Sequence, residues 1–193
     1  MHELFFKKLN EVILLTEEEE AIFRTYLLPK KIRRKQYILQ EGDVCKYSIF
    51  VEKGLLRSYI VNEKGTEQIA QFALEGWWIG DMYSFITGEP GRYNIDALED
   101  SELILISATG MNELHERIPK FLRFSFLQMR NAYIASERRR SNMINLTTEE
   151  RYSNLIETYP DIVQRVPQHM IASYLGLTPE TLSRARKQMS LRK

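Results

Sequence analysis

The apolar positions of this 193-residue chain change their period twice along its length. In residues 1–35 they are spaced for short amphipathic helices: Leu4, Phe5 and Leu9, then Ile22, Phe23, Tyr26 and Leu27. Thr16 stands as an N-cap ahead of Glu17-Glu18-Glu19-Glu20, and Pro29 reads as the stop. From Ile32 to about Ala108 the period falls to two, in short runs over Tyr37–Gln40, Tyr47–Glu52, Leu55–Val61, Glu67–Leu74 and Glu102–Ser107. Gly42, Gly54, Gly65 and Gly80 mark the turns between runs. Short strands at this spacing predict an antiparallel, jelly-roll-like β-roll.

After Ser107 the pattern turns helical and stays so. Met111–Arg117 reads as a short helix, and Pro119 opens a long one with a broad apolar-to-small stripe: Phe121, Leu122, Phe124, Ser125, Gln128, Met129, Ala132, Ala135 and Ser136. Such a helix must cover the β-roll, a partner chain, or both. Thr147 and Glu150 have capping-box spacing for a further helix, Glu149 to Thr158. The expected fold class is therefore α+β: an N-terminal β-roll with its helices over 1–117, a long connecting helix over 118–146, and a C-terminal helical domain over 147–193.

The formal net charge of +1 conceals an asymmetry. Residues 130–193 carry 11 Lys and Arg against 6 Asp and Glu, whereas residues 1–129 carry 16 against 20. A polyanionic partner would be drawn to the C-terminal part. Arg138-Arg139-Arg140 is one candidate for phosphate contact and equally a solvated helix face. No eighteen consecutive apolar residues occur, and Met1 to Glu20 lacks an apolar stretch with a cleavage site, so a cytoplasmic protein without a membrane partner is expected. Cys45 is the only cysteine, which excludes an intrachain disulfide, a cysteine-rich zinc site and a four-cysteine iron–sulfur cluster.

Residues 168–187 carry the strongest local signal. Gln168 to Leu175 forms one helix with Ile171 and Leu175 inward, and Ala172 is small where two helices would cross. Gly176 suits a tight turn needing positive φ; Thr178 is a suitable N-cap, Pro179 a suitable first residue and Glu180 a complement to the helix dipole of a second helix. This is the grammar of a helix-turn-helix. With Leu182 inward, Glu180, Ser183 and Arg184 are placed to read bases: Arg184 can hold guanine O6 and N7, and Glu180 can accept from cytosine N4. Gln168, Thr178, Thr181, Arg186 and Lys187 are better placed for phosphate oxygens, and His169 for phosphate or solvent. The tail after Arg186 is short, so any β-wing would precede the second helix, around Ile162 to Val166.

The order of parts resembles the Crp/Fnr family of transcription regulators. The resemblance rests on Glu41-Gly42-Asp43, Phe50-Val51 followed by Gly54, Gly65, Gly80-Asp81, Ala97 with Leu98-Glu99-Asp100, and Ala172 through Arg184. It implies a homodimer formed along the 118–146 helix, bound to double-stranded DNA at an inverted repeat and acting on RNA polymerase. In cAMP-sensing members a Gly-Glu pair and a later Arg-Ser or Arg-Thr pair hold the ribose and the cyclic phosphate. Here Asp81 replaces the Glu, Gly91 falls where the Arg belongs, and Arg92 and Tyr93 follow one place late. That departure argues against cAMP or another cyclic nucleotide and leaves Gly80, Asp81, Met82, Tyr83, Arg92 and Tyr93 as the candidate pocket for some other small effector. Trp77, Trp78, Tyr83, Phe85 and Tyr93 serve either as pocket walls or as core.

An enzyme of the cupin type would need clustered histidines on the strands, but His2, His115 and His169 all fall outside them. Motifs for a nucleophile elbow, a phosphate loop or a zinc protease are missing, and Asp96, Glu99 and Asp100 read as exposed turn residues. No catalysis is expected. The remaining alternative is a ligand-binding or interaction module that has lost specific DNA binding.

Overall fold

The structure, a computed structural model, describes residues 2–191. Two helices, α1 (Glu3–Asn10) and α2 (Glu17–Arg24), precede eight strands: β1 (Leu28–Ile32), β2 (Tyr37–Leu39), β3 (Tyr47–Lys53), β4 (Leu56–Val61), β5 (Glu67–Ala73), β6 (Trp78–Ile79), β7 (Asn94–Ala97) and β8 (Ser101–Ser107). A short helix α3 (Met82–Thr87) interrupts them between β6 and β7. The strands form two four-stranded sheets, ordered β1-β8-β3-β6 and β2-β7-β4-β5, in which β1 and β8, β2 and β7, β3 and β6, β3 and β8, and β4 and β7 pair antiparallel. Among the described residues no helix is long and apolar enough to cross a membrane.

Alternation along β3 and β8 feeds two separate cores. Ile49 and Val51 of β3, with Leu103 and Leu105 of β8, face inward between the sheets and meet Leu39, Leu56, Ala73, Ile95 and Ala97 of the other sheet. Phe50 and Ile104, which pair across the same two strands, point the opposite way, as does Ile106. There they join Phe5, Phe6, Leu9 and Phe23 of the first two helices, Leu114 of α4 (Ala108–Arg117), and Phe121 and Phe124 at the start of α5 (Pro119–Asn145). The rings meet edge to face, at 5.3 Å for Phe5 and Phe50 and 4.7 Å for Phe23 and Phe121. Phe121 and Phe124 thus belong to the core, whereas Leu122, Met129, Ala132, Ala135 and Ser136 of the expected stripe are exposed.

Two compact units result. One comprises residues 1–60 and 71–129; the other comprises 130–193 together with the tip of the β4–β5 hairpin, 61–70. The second unit contains the remainder of α5, then α6 (Thr148–Thr158), α7 (Pro160–Arg165), α8 (Gln168–Tyr174) and α9 (Pro179–Leu191). The capping box expected at Thr147 is formed: its hydroxyl accepts the Glu150 amide and the Glu150 carboxylate accepts the Thr147 amide. The region proposed for a β-wing, Ile162 to Val166, is instead mostly helix α7, with Pro160 in its first turn.

Three further expectations need correction. Pro29 does not end the preceding helix; it lies within β1, an edge strand, where a missing N–H is tolerated and exposed lysines discourage pairing with other chains. Strands β1, β6 and β7 escaped the alternation pattern, being short or rich in polar residues. Asp96 is not a turn residue. It sits opposite Arg57 in register and is buried with it, Arg57 Nε donating to Asp96 Oδ1 at 2.8 Å and Nη2 to Oδ2 at 2.9 Å. The guanidinium lies 4.2 Å from the Tyr59 ring centre, and the Tyr59 hydroxyl shares a 2.9 Å hydrogen bond with that of Tyr37. Burial, Tyr37 and the Asp96 charge together push the Tyr59 phenol well above its ordinary range.

Helix α1 is capped from a distance. His2 makes no side-chain cap; instead Glu52 of β3 accepts the Leu4 amide at Oε1 (2.9 Å) and the Phe5 amide at Oε2 (3.1 Å), setting a negative charge at the positive end of the helix. Replacing Glu52 with Ala is expected to lower stability by about 0.5–2 kcal/mol, as for loss of an N-cap, and Glu52→Gln by less; urea denaturation of the variants checks both.

Candidate nucleic-acid interface

Helices α8 and α9 are joined by a tight left-handed turn. The Leu177 amide donates to Ala172 O at 2.9 Å and the Gly176 amide to Ser173 O at 3.0 Å, the paired bonds of a Schellman motif. Gly176 supplies the residue this motif needs at positive φ, here 70°. A Cβ there would also come within 2.8 Å of Met143 Cε. Thr178 then caps α9, its hydroxyl accepting the Thr181 amide at 3.2 Å. Ile171, Ala172, Leu175, Leu182 and Ala185 are buried, so one side of each helix is fixed in the core with Tyr152, Leu155, Ile162 and Val166.

What remains on the outside is the set expected for base reading: Glu180, Ser183 and Arg184 are exposed, as are Pro179 and Lys187. Glu180 accepts from its own amide and from Thr178, with Arg184 a weaker contributor, and these hold its carboxyl below the usual carboxylate range. The pair therefore presents one acceptor and one cation, four residues apart on one helix face. Among the expected phosphate contacts, Thr178, Arg186 and Lys187 are exposed and Thr181 is half-buried. Arg186 rests 5.9 Å from the Tyr152 ring centre. Gln168 is half-buried, and its Oε1 is buried with no hydrogen-bond partner among the described residues.

A second set of contacts in this unit was not foreseen. The Ser173 hydroxyl of α8 accepts the Ile69 amide at 3.0 Å and donates to Glu67 O at 2.9 Å, taking up the free edge of β5 at the hairpin tip. Arg139 donates to Ala70 O and stacks 4.4 Å from the ring centre of Tyr174. The tract Arg138-Arg139-Arg140 is therefore not uniform: Arg139 is half-buried and structural, Arg140 pairs with Glu137 at 2.6 Å, and Arg138 is exposed. Local sequence carries no sign of these links, because the partners of Ser173 lie more than 100 residues away.

The candidate effector residues divide. Asp81 is buried at 2% exposure and caps α3, Oδ1 accepting the Ser84 amide at 3.0 Å, while Oδ2 accepts the Arg92 amide at 2.8 Å. Met82 and Tyr83 are each 53% exposed, and the Tyr83 hydroxyl donates to Glu89. The Arg92 side chain is exposed, and Gly80 and Tyr93 are half-buried. Trp77 and Phe85 pack against the core between the sheets and Trp78 against the aromatic core, leaving the core reading for those three.

A family model described as the cyclic nucleotide-binding domain matches residues 29–117. The chain is 29% identical over 169 residues to the fumarate and nitrate reduction regulatory protein of Vibrio cholerae, covering 80% of this chain and 66% of that protein. It is 28% identical over 167 residues to the regulatory protein HlyX of Actinobacillus pleuropneumoniae, covering 80% and 68%. The chain thus spans about two thirds of the length of these curated relatives. Among solved structures it is similar to FixK2 from Bradyrhizobium japonicum, with a TM-score of 0.74 at 22% identity over 86% of this chain and 85% of that one. It is also similar to CLP, a c-di-GMP-responsive global regulator of Xanthomonas campestris, with a TM-score of 0.72 at 16% identity over 92% and 93%. In the Gly80–Tyr93 segment the buried ionisable group is the Asp81 carboxylate, and the Arg92 side chain is exposed. Fold, order of parts and sequence likeness agree in making the chain similar to regulators of the Crp/Fnr family.

Proposed function

We propose that this chain is a sequence-specific DNA-binding transcription regulator that works as a homodimer on an inverted-repeat operator. The observation that carries the reading is the outer face of α9. Behind a Schellman turn and a threonine cap, Glu180, Ser183 and Arg184 stand exposed at the start of a helix whose opposite face is locked by Leu182 and Ala185. A helix so held can enter a major groove end-on, with Arg184 reading guanine, Glu180 reading cytosine, and Thr178, Thr181, Arg186, Lys187 and Gln168 fixing register on phosphates.

Dimerisation is supported by the state of α5. Every residue from Met129 to Ser136 is exposed, on all sides of the helix. Leu122, Phe126, Met129 and Tyr133 follow a four-three-four spacing at 58%, 62%, 55% and 67% exposure, the seam of a two-stranded coiled coil. Each such side chain is worth about 1.5–3 kcal/mol when buried, so a second copy of α5 is a strong occupant for this stripe. In this reading residues 118–146 join a β-roll domain over 1–117 to a DNA-binding domain over 147–193, and bound dimers act on RNA polymerase. The roll biases the dimer between DNA-competent and incompetent arrangements through a small effector other than cAMP.

Selection of bound DNA from a random pool by the purified chain is expected to enrich a palindrome with half-sites about one helical turn apart. Recovery of DNA without a motif, from a verified dimer and with cell extract added, counts against the reading. On the selected operator, Arg184→Ala is expected to lose about 1–3 kcal/mol of discrimination at one base pair per half-site, measured by competition against single-base variants, while affinity for random DNA is retained. The double variant Phe126→Glu, Tyr133→Glu is expected to sediment as a monomer and to bind the operator weakly, with its circular dichroism unchanged.

A further inference from the structure

The segment from Gly80 to Arg92 is held together by its own negative charge. Asp81 is 2% exposed, and both carboxylate oxygens are engaged by backbone amides, those of Ser84 and Arg92. Neighbouring bonds tighten the same knot. The fully buried Ser84 hydroxyl accepts the Cys45 amide at 2.8 Å and donates to Glu89 O. Gly42 and Gly91 link the two loops, the Gly42 amide donating to Gly91 O and the Gly91 amide to Asp43 O, each at 2.9 Å. Gly91 has no room for a side chain: a Cβ there would lie 2.8 Å from Asp81 Oδ2 and 3.3 Å from Asp43 O.

We propose that the Asp81 carboxylate is a built-in anion that takes up the amides of the Gly80–Arg92 segment, so that the roll is closed on itself and binds no cyclic nucleotide. Chemistry and space lead to the same conclusion. A buried anion needs N–H donors, and two amides of this segment already serve Asp81. A second anion brought to the same amides would meet the carboxylate at close range with no buried cation to offset it. The atom closest to where a Gly91 side chain would begin is Asp81 Oδ2, so the position at which the family resemblance expects the phosphate-binding Arg is blocked by the Asp81 carboxylate. The domain keeps the fold of a nucleotide sensor while its loop is set permanently by an internal carboxylate.

Titration calorimetry of the full chain with cAMP and with cGMP is expected to show no saturable heat; micromolar binding of either nucleotide overturns the proposal. Hydrogen exchange then tests the carboxylate directly. Asp81→Asn keeps the size and one acceptor but sets an NH2 group beside an amide donor, and is expected to speed exchange of the Ser84–Arg92 peptides by about tenfold or more while β3 and β8 stay protected. Gly91→Ala, which presses a methyl group onto Oδ2, is expected to loosen the same peptides with Asp81 intact. Unchanged exchange in both folded variants overturns the role given to Asp81.

Discussion

Two neighbouring strands in this fold have no side to spare for water. Because β3 and β8 are covered on both faces, consecutive residues are drawn into different cores: Ile49 and Val51 to the space between the sheets, Phe50 to the cluster of helices outside. The aromatic cluster in turn fixes α1, α2, α4 and the first turns of α5, with Phe121 and Phe124 as the last anchors. The first turns of the long helix therefore have their rotation about the helix axis set by the core, and Leu122, Phe126 and Met129 are exposed because Phe121 and Phe124 are not. One pattern of alternation in two strands thus determines which side chains of the first turns of the helix stay exposed.

Polar interiors follow a related logic. Arg57 with Asp96, Glu52 with the α1 amides, and Asp81 with the amides of Ser84 and Arg92 are charged groups placed among apolar neighbours, each with partners in good geometry. Such groups contribute little net stability beside apolar packing but strongly penalise alternatives in which they lose their partners. They tie loops and termini to the sheets at points where apolar contact alone would permit sliding.

Legibility in the sequence tracked the range of the interaction responsible. Features made by residues within a few positions of one another were readable: the Thr147 and Glu150 box, Pro119 at the start of the long helix, and the Ala172, Gly176, Thr178 and Leu182 grammar that placed Glu180, Ser183 and Arg184 outside. Features made by distant residues were not. Asp96 looked like a turn residue because its partner is 39 positions away, and β1 was hidden by a proline that only an edge strand accommodates. Helix α7 is six residues long, too short for a period to declare itself. Asp81 was legible as an altered residue, but that its carboxylate fills the space beside Gly91 depends on a fold that brings residues ten apart into contact.

The hairpin tip grouped with the C-terminal helices has a consequence for how the molecule is made. The unit that carries α8 and α9 is discontinuous in the chain: residues 67–70 are synthesised long before Ser173 and Arg139, whose side chains close on them. Its contacts are therefore of high sequence separation, and closing them carries an entropic cost that a self-contained helical domain would not meet. A fragment beginning at residue 130 would lack the backbone edge that Ser173 grips.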